Sequence, residues 1–195
     1  MKLHLGCGRT IIPGWVNLDL IPGEGVDCVA DLDDVASTPL PFDDDTFDEI
    51  VGLHLIEHLR NPLAFMAEMH RVAQPGGTIT FTTPYGSSDD AWEDPTHVRP
   101  YFMNSWGYFG QPFYWRADYG YRGDWDLTEL QLSLHPETVK DDDGDLLDPD
   151  EVMVVIGRDR NVVSEMTAIL RAVKPAREPL RELMTRPHLS LTLAD

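Results

Sequence analysis

Between Phe47 and Thr83 the chain changes its hydrophobic period twice, and this restricts the fold more than any other feature. Phe47 to Leu53 (FDEIVGL) has the near-continuous apolar character of a strand covered on both faces. Asn61 then suits an N-cap and Pro62 a first helical position. Phe65, Met66, Met69, Val72 and Ala73 recur along one helical stripe. Gln74-Pro75-Gly76-Gly77 stops that helix, and Thr78 to Thr83 (TITFTT) is a β-branched strand. Strand, helix and strand joined by short turns require a parallel α/β sheet.

Three short apolar segments precede this unit: Lys2 to Leu5, Trp15 to Leu20, and Val26 to Ala30. After it, residues 85–125 carry glycine, proline and aromatics without a sustained period. Leu127 to Leu134 alternates as a strand, and Val152 to Ile156 is an apolar run that reads as a second. The acidic loop Asp141-Asp142-Asp143-Gly144-Asp145 lies between them, so the expectation is a sheet-edge hairpin. Its glycine does not fit a calcium loop, because Val139 would occupy the first ligand position. Val162 to Val173 is expected to be helical, and Pro175 to Asp195 a tail with a short helix near Leu180 to Met184. The chain therefore divides within one domain, 1–195, into a ligand-binding half at 1–84, an aromatic insertion at 85–126, and an edge and tail at 127–195.

Thirty-four acids against fifteen bases, only three of them lysines, leave a net charge of −19. A field of that sign repels phosphate backbones and disfavours nucleic acid as a partner. Cys7 and Cys28 form neither a disulfide framework nor a paired metal spacing and read as reduced thiols. No apolar run approaches a membrane span, and MKLHLGCG lacks the apolar core of a signal peptide, so a cytoplasmic protein with no membrane partner is expected.

In a parallel sheet the segment ends at Gly6-Cys7-Gly8, Asp19 and Asp31 share the carboxyl edge, where ligands of open α/β sheets bind. Glycines there free backbone N–H groups for close approach. The third glycine of a dinucleotide fingerprint is missing, with Ile11 in its place, and no phosphate clamp is present. A suitable ligand offers a polar head to the glycines, ribose hydroxyls to Asp19 and a base amine to Asp31.

LHLGCG, GWVNLDL, VADLDD, LPFDDDTFDEIVGLHLIEHL, FMAEMHRVAQPGG and TITFTTP follow one another in order over residues 2–84. In this series the chain resembles the class I S-adenosylmethionine-dependent methyltransferases, and AWEDPTHVRPYF resembles a signature of some short members. The resemblance implies a Rossmann-like sheet, mostly parallel with an antiparallel edge hairpin, and S-adenosyl-L-methionine as cofactor. It implies that Gly6, Cys7 and Gly8 hold the methionine part, Asp19 with Leu20 the ribose, Asp31 with Leu32 the adenine, and Leu53-His54 the methyl-bearing side. No helix precedes the first strand, and Arg9 to Gly14 is too short for a crossover helix. The N-terminal helices are thus truncated, and the pocket is open on that side or closed by the tail or a second subunit, as in a homodimer.

Asp89, Asp90, Trp92, Glu93, Asp94, His97 and Arg99 follow the fifth strand, where such a fold presents its acceptor. His97 suits a general base for an alcohol or phenol, with Asp94 to orient its ring. Arg99 suits an acidic group of the acceptor. A bonded loop beginning at Pro95, or an Asp/His metal site, would use the same letters. Eleven aromatics crowd residues 101–125, and they suit either an acceptor wall, with Trp92, Tyr101 and Trp106 in it, or an accessory core. His54-Leu55-Ile56-Glu57-His58 matches a zinc-peptidase pattern that needs a helical setting. Here it follows a parallel strand, so no metal is assigned. The expected activity is O-methylation of a small molecule or carbohydrate. The alternatives are a nucleic-acid or protein methyltransferase, or a binding module without catalysis.

Overall fold

The computed structural model describes residues 1–194. Its centre is one eight-stranded sheet in the order β3-β2-β1-β4-β5-β7-β6-β8. The strands are β1 Lys2–Leu5, β2 Val16–Asp19, β3 Cys28–Val29, β4 Phe47–Leu53 and β5 Ala73–Pro84, followed by β6 Trp125–Leu134, β7 Val163–Ala172 and β8 His188–Leu193. β1 lies between β2 and β4, parallel to both. The ladder β4 to β5 is also parallel, so the first five strands end on one edge.

The helix α1 (Pro62–Val72) forms as its cap and stripe require. The Asn61 side chain accepts a hydrogen bond from the Ala64 N–H, and Phe65, Met66, Met69 and Val72 are buried. Ala73, read as the last residue of that stripe, already belongs to β5. Along β5, Ile79, Phe81 and Thr83 point into the core. Thr78, Thr80 and Thr82 alternate onto the opposite, half-exposed face. The insertion joins this core through stacked rings. Phe81 lies 5.8 Å from Trp106, and Trp106 lies 5.2 Å from Tyr101, both at shallow interplanar angles.

The crossover from β1 to β2 has no helix, as the spacing predicts. Its ten residues fold over Asn17, which is 2% exposed. The Asn17 side chain accepts from the Ile12 N–H at 2.9 Å and donates to the Ile12 and Trp15 carbonyls. One amide thereby satisfies the loop that a crossover helix would otherwise replace.

Beyond residue 134 two expectations are exchanged. Val152 to Ile156 is part of a helix, α2 (Pro149–Arg158), and the expected helix at Val162 to Val173 is the strand β7. Asp148 caps α2 by accepting from the Asp150 and Glu151 N–H groups, and Glu151 reciprocates through the Asp148 N–H. This capping box and Pro149 are the signals that outweigh five apolar letters. In β7, Met166, Ala168, Leu170 and Ala172 are buried in strict alternation. The hairpin partner of β6 is accordingly β7, which is antiparallel to both β6 and β5. The tail forms a 3₁₀ turn at Arg181–Leu183 and then β8, parallel to β6. It pairs at the end of the sheet farthest from β3, so it does not close the β1–β2 side.

Asp124 anchors the tail and the insertion together. It is fully buried, and its carboxylate accepts from the Gln111 N–H, the Arg177 N–H, and Arg177 Nε and Nη2 at 2.8–3.0 Å. Removing the guanidinium strands that charge. Arg177→Met should therefore destabilise the protein by about 3–5 kcal/mol, measured by urea unfolding. A loss below about 1 kcal/mol would show that Asp124 does not depend on its partner.

Candidate functional site

The register sets the site. Leu5 is level with Leu18 on β2 and with Gly52 on β4, so Gly6, Asp19 and Leu53 are the next residues along the edge. Gly6 and Gly8 adopt left-handed φ angles of 59° and 51°. The Gly8 N–H donates to Asp19 Oδ2 at 2.7 Å and the Ile21 N–H to Asp19 Oδ1 at 2.9 Å, which shapes the glycine loop and the carboxylate together. A Cβ built on Gly8 would meet nothing within 4 Å, so the loop faces open space there. Asp31, just past β3, is exposed, and among the described residues its carboxylate accepts only from the Asp33 N–H, through Oδ1. Leu32 is buried beneath it, while Leu20 is 57% exposed at the rim. Burial pushes the Cys7 thiol above its ordinary range, which disfavours the reactive thiolate.

His54 stands just past β4 with φ 48°, a strained value for a non-glycine residue. Its N–H donates to the Thr82 carbonyl, which ties β4 to β5. Its ring lies 3.6 Å from Glu57 Oε1 and 3.5 Å from Glu165 Oε2. The Glu57 carboxylate, opposed by partial burial and aided by Glu165, holds it above the usual imidazole range. With Pro84, Asp90, Glu93, Asp94 and His97 it lines an open depression of about 560 Å³.

The sequence candidates on the acceptor side separate. His97 reaches the depression, and its Nδ1 lies 3.3 Å from the Ala91 carbonyl. Asp94 does not orient that ring. It is 3.9 Å from His97 Nε2, and its Oδ1 instead accepts from the Thr96 N–H and hydroxyl. Arg99 and Tyr101 line a second cavity of about 500 Å³, with Arg60, Phe102, Tyr108 and Tyr119. Trp92 is 62% exposed and its indole donates to the Gly86 carbonyl. Trp106 is completely buried, bonded to Met166 Sδ, and belongs to the core rather than to an acceptor wall. A third cavity of about 530 Å³ lies between the insertion and the tail, around Trp125, Leu130 and Met184.

Two residues gain importance only in three dimensions. Glu57 is 2% exposed, yet neither carboxylate oxygen has a hydrogen-bond partner among the described residues. His58 stacks edge-on against His97 with ring centroids 4.7 Å apart. The HxxEH letters placed Glu57 and His58 under attention, but nothing in the spacing links them to a residue forty positions on.

The profile of a family described as "Methyltransferase domain" matches residues 19–81. Ajmaline N-methyltransferase of Rauvolfia serpentina is 35% identical over 81 residues, 40% of this chain, and the match spans only 28% of that enzyme. Among solved structures, an S-adenosylmethionine-dependent methyltransferase from Archaeoglobus fulgidus superposes with a TM-score of 0.54 at 13% identity, over 87% of this chain and 85% of that one. Another, from Mesorhizobium loti, gives 0.50 at 13% identity over 87% and 89%. At such identity the likeness establishes a shared fold. Among the described residues no helix is long and apolar enough to cross a membrane.

The glycine loop can be tested without a ligand. Gly8→Ala should cost about 1–2 kcal/mol for the left-handed backbone alone. Gly6→Ala should cost more, because its Cβ would also meet Leu55 Cδ1 at 3.0 Å. Chemical denaturation of both variants would show equal losses if Leu55 simply moves aside.

Proposed function

We propose that this member of the class I S-adenosylmethionine-dependent methyltransferase family transfers the sulfonium methyl to an oxygen of a small molecule or sugar. One observation carries the reading: three consecutive strand ends present bare, left-handed glycine backbone and two carboxylates to the same open edge. The residues fit the cofactor. Gly6 to Gly8 would hold its amino-acid end, Asp19 the ribose diol through the lone pairs left by its two backbone bonds, and Asp31 Oδ2 the adenine amine. Bound there, the cofactor would supply an electrophilic methyl carbon, carried on a sulfonium leaving group, for an acceptor oxygen.

The chain's own residues align the acceptor and collect its proton. The depression lined by His54 and His97 lies at the ends of β4 and β5, the side on which the family resemblance would put the donor's methyl group. The Ala91 carbonyl engages Nδ1 of His97 and leaves Nε2 free to accept the proton of a hydroxyl group. Positioning contributes the larger part of the acceleration. The chain's acid excess supports a non-nucleic-acid acceptor, since no ladder of phosphates would approach it favourably.

Calorimetry with S-adenosylmethionine should show one site, and Asp19→Asn should weaken it about tenfold, roughly 1.4 kcal/mol. In a panel of small hydroxylated acceptors, His97→Asn should lower kcat about 100-fold with donor affinity retained. Absence of binding at saturating cofactor would overturn the donor site. Binding with no product from any acceptor would instead favour a module that holds the cofactor without transferring its methyl.

A further inference from the structure

Among the described residues the buried carboxylate of Glu57 has no hydrogen-bond partner, and a charge left in that condition is costly. The cost is met in folded proteins by a counter-charge or a metal. His54 lies 3.6 Å away, beyond hydrogen-bond range, with its ring 54% exposed. On the other side stand His58 and His97. One ligand atom from each of Glu57, His58 and His97 lies within 4.8 Å of the other two.

Both rings are already oriented for a ligand. His58 Nδ1 is engaged by the Thr96 hydroxyl at 3.0 Å and the Thr96 carbonyl at 3.3 Å. His97 Nδ1 is engaged by the Ala91 carbonyl. These contacts leave Nε2 as the free nitrogen of each ring, the arrangement seen when imidazoles bind metals. The loop is also fastened to the turn that carries Glu57, since the Val98 N–H donates to the Glu57 carbonyl at 2.9 Å. We propose that Glu57, His58 and His97 form a site for one divalent transition-metal ion of the zinc class, open to the acceptor depression.

Two imidazoles and a carboxylate suit zinc, cobalt or iron, and exclude an oxygen-seeking magnesium or calcium site. Ligands about 2.0–2.1 Å from a tetrahedral ion stand about 3.3 Å apart, so the three groups, now within 4.8 Å of one another, close by at most about 1.5 Å on loading. The pairing differs from the one the HxxEH letters suggest, because His97 replaces His54. With only three protein ligands, a coordination position remains for water or an acceptor oxygen. The inference goes beyond the methyl-transfer reading and does not require it. Where the ion is bound, His97 Nε2 is a ligand and no longer the proton acceptor.

The test uses the full chain, stripped with chelator and titrated with Zn²⁺ and separately with Co²⁺, in the absence of cofactor. One equivalent of each ion should bind, with a rise in Tm and a tetrahedral d–d spectrum for cobalt. Glu57→Gln, His58→Gln and His97→Gln should each weaken zinc at least tenfold, while His54→Gln should bind like the parent. Circular dichroism confirms that each variant is folded, and the His58→Gln and His97→Gln pair keeps the test valid should Glu57→Gln fail to fold. No binding at a tenfold excess of zinc, or full binding by His97→Gln, would overturn the site. Loss of binding in His54→Gln with retention in His97→Gln would transfer it to the helical-type pair and equally refute the proposal. Failure of zinc binding in a protein that still binds S-adenosylmethionine would remove this inference alone.

Discussion

The parallel pairing of β1 with both of its neighbours is the constraint on which the site depends. Leu3, His4 and Leu5 are almost wholly buried, and their partners on β2 and β4 fix the level at which each strand stops. A slip of one residue would turn Leu3 and Leu5 to the other face and bring His4, which pairs with Asn17, out of its niche. It would also move Gly6 off the level of Asp19. The apolar burial that holds the sheet and the geometry that aligns the candidate donor site are thus the same fact.

Two buried carboxylates show contrasting solutions to one electrostatic problem. Asp124 is saturated by an arginine and two backbone donors, and it unites β6, the insertion and the tail. Glu57 sits in the turn between β4 and α1, its oxygens unbonded among the described residues and three imidazoles nearby. The first arrangement is what structural ionic groups require. The second stores unmet demand beside the edge where a ligand is expected, the usual location of such demand.

The N-terminal half was legible because its signals are local. The cap at Asn61 and the stripe through Val72 specify α1, which the structure reproduces within a residue, and the β-branched run lies inside β5, which starts earlier, at Ala73, and takes in the Gln74 to Gly77 stop. Past residue 134 the local letters compete. Val152 to Ile156 resembles a strand until the bond from Asp148 to the next turn is counted, and β7 resembles a helix until its two antiparallel neighbours are known. β8 was read as tail because its pairing with β6 joins residues about sixty apart. In the candidate site, Gly6, Gly8, Asp19 and Asp31 were readable from strand ends. Trp106 was not, because an aromatic in a loop carries the same letter whether it faces a ligand or Met166.

The stack running from Phe81 through Trp106 to Tyr101 has a consequence for divergence among related sequences. It welds the floor of the insertion to the central sheet, so change there is penalised by lost folding. The rim bears no such load: Trp92, Phe102 and Tyr108 are all substantially exposed. Related sequences can therefore vary at these exposed positions while the floor stays constant, and drift in this protein should concentrate there rather than in the stack beneath.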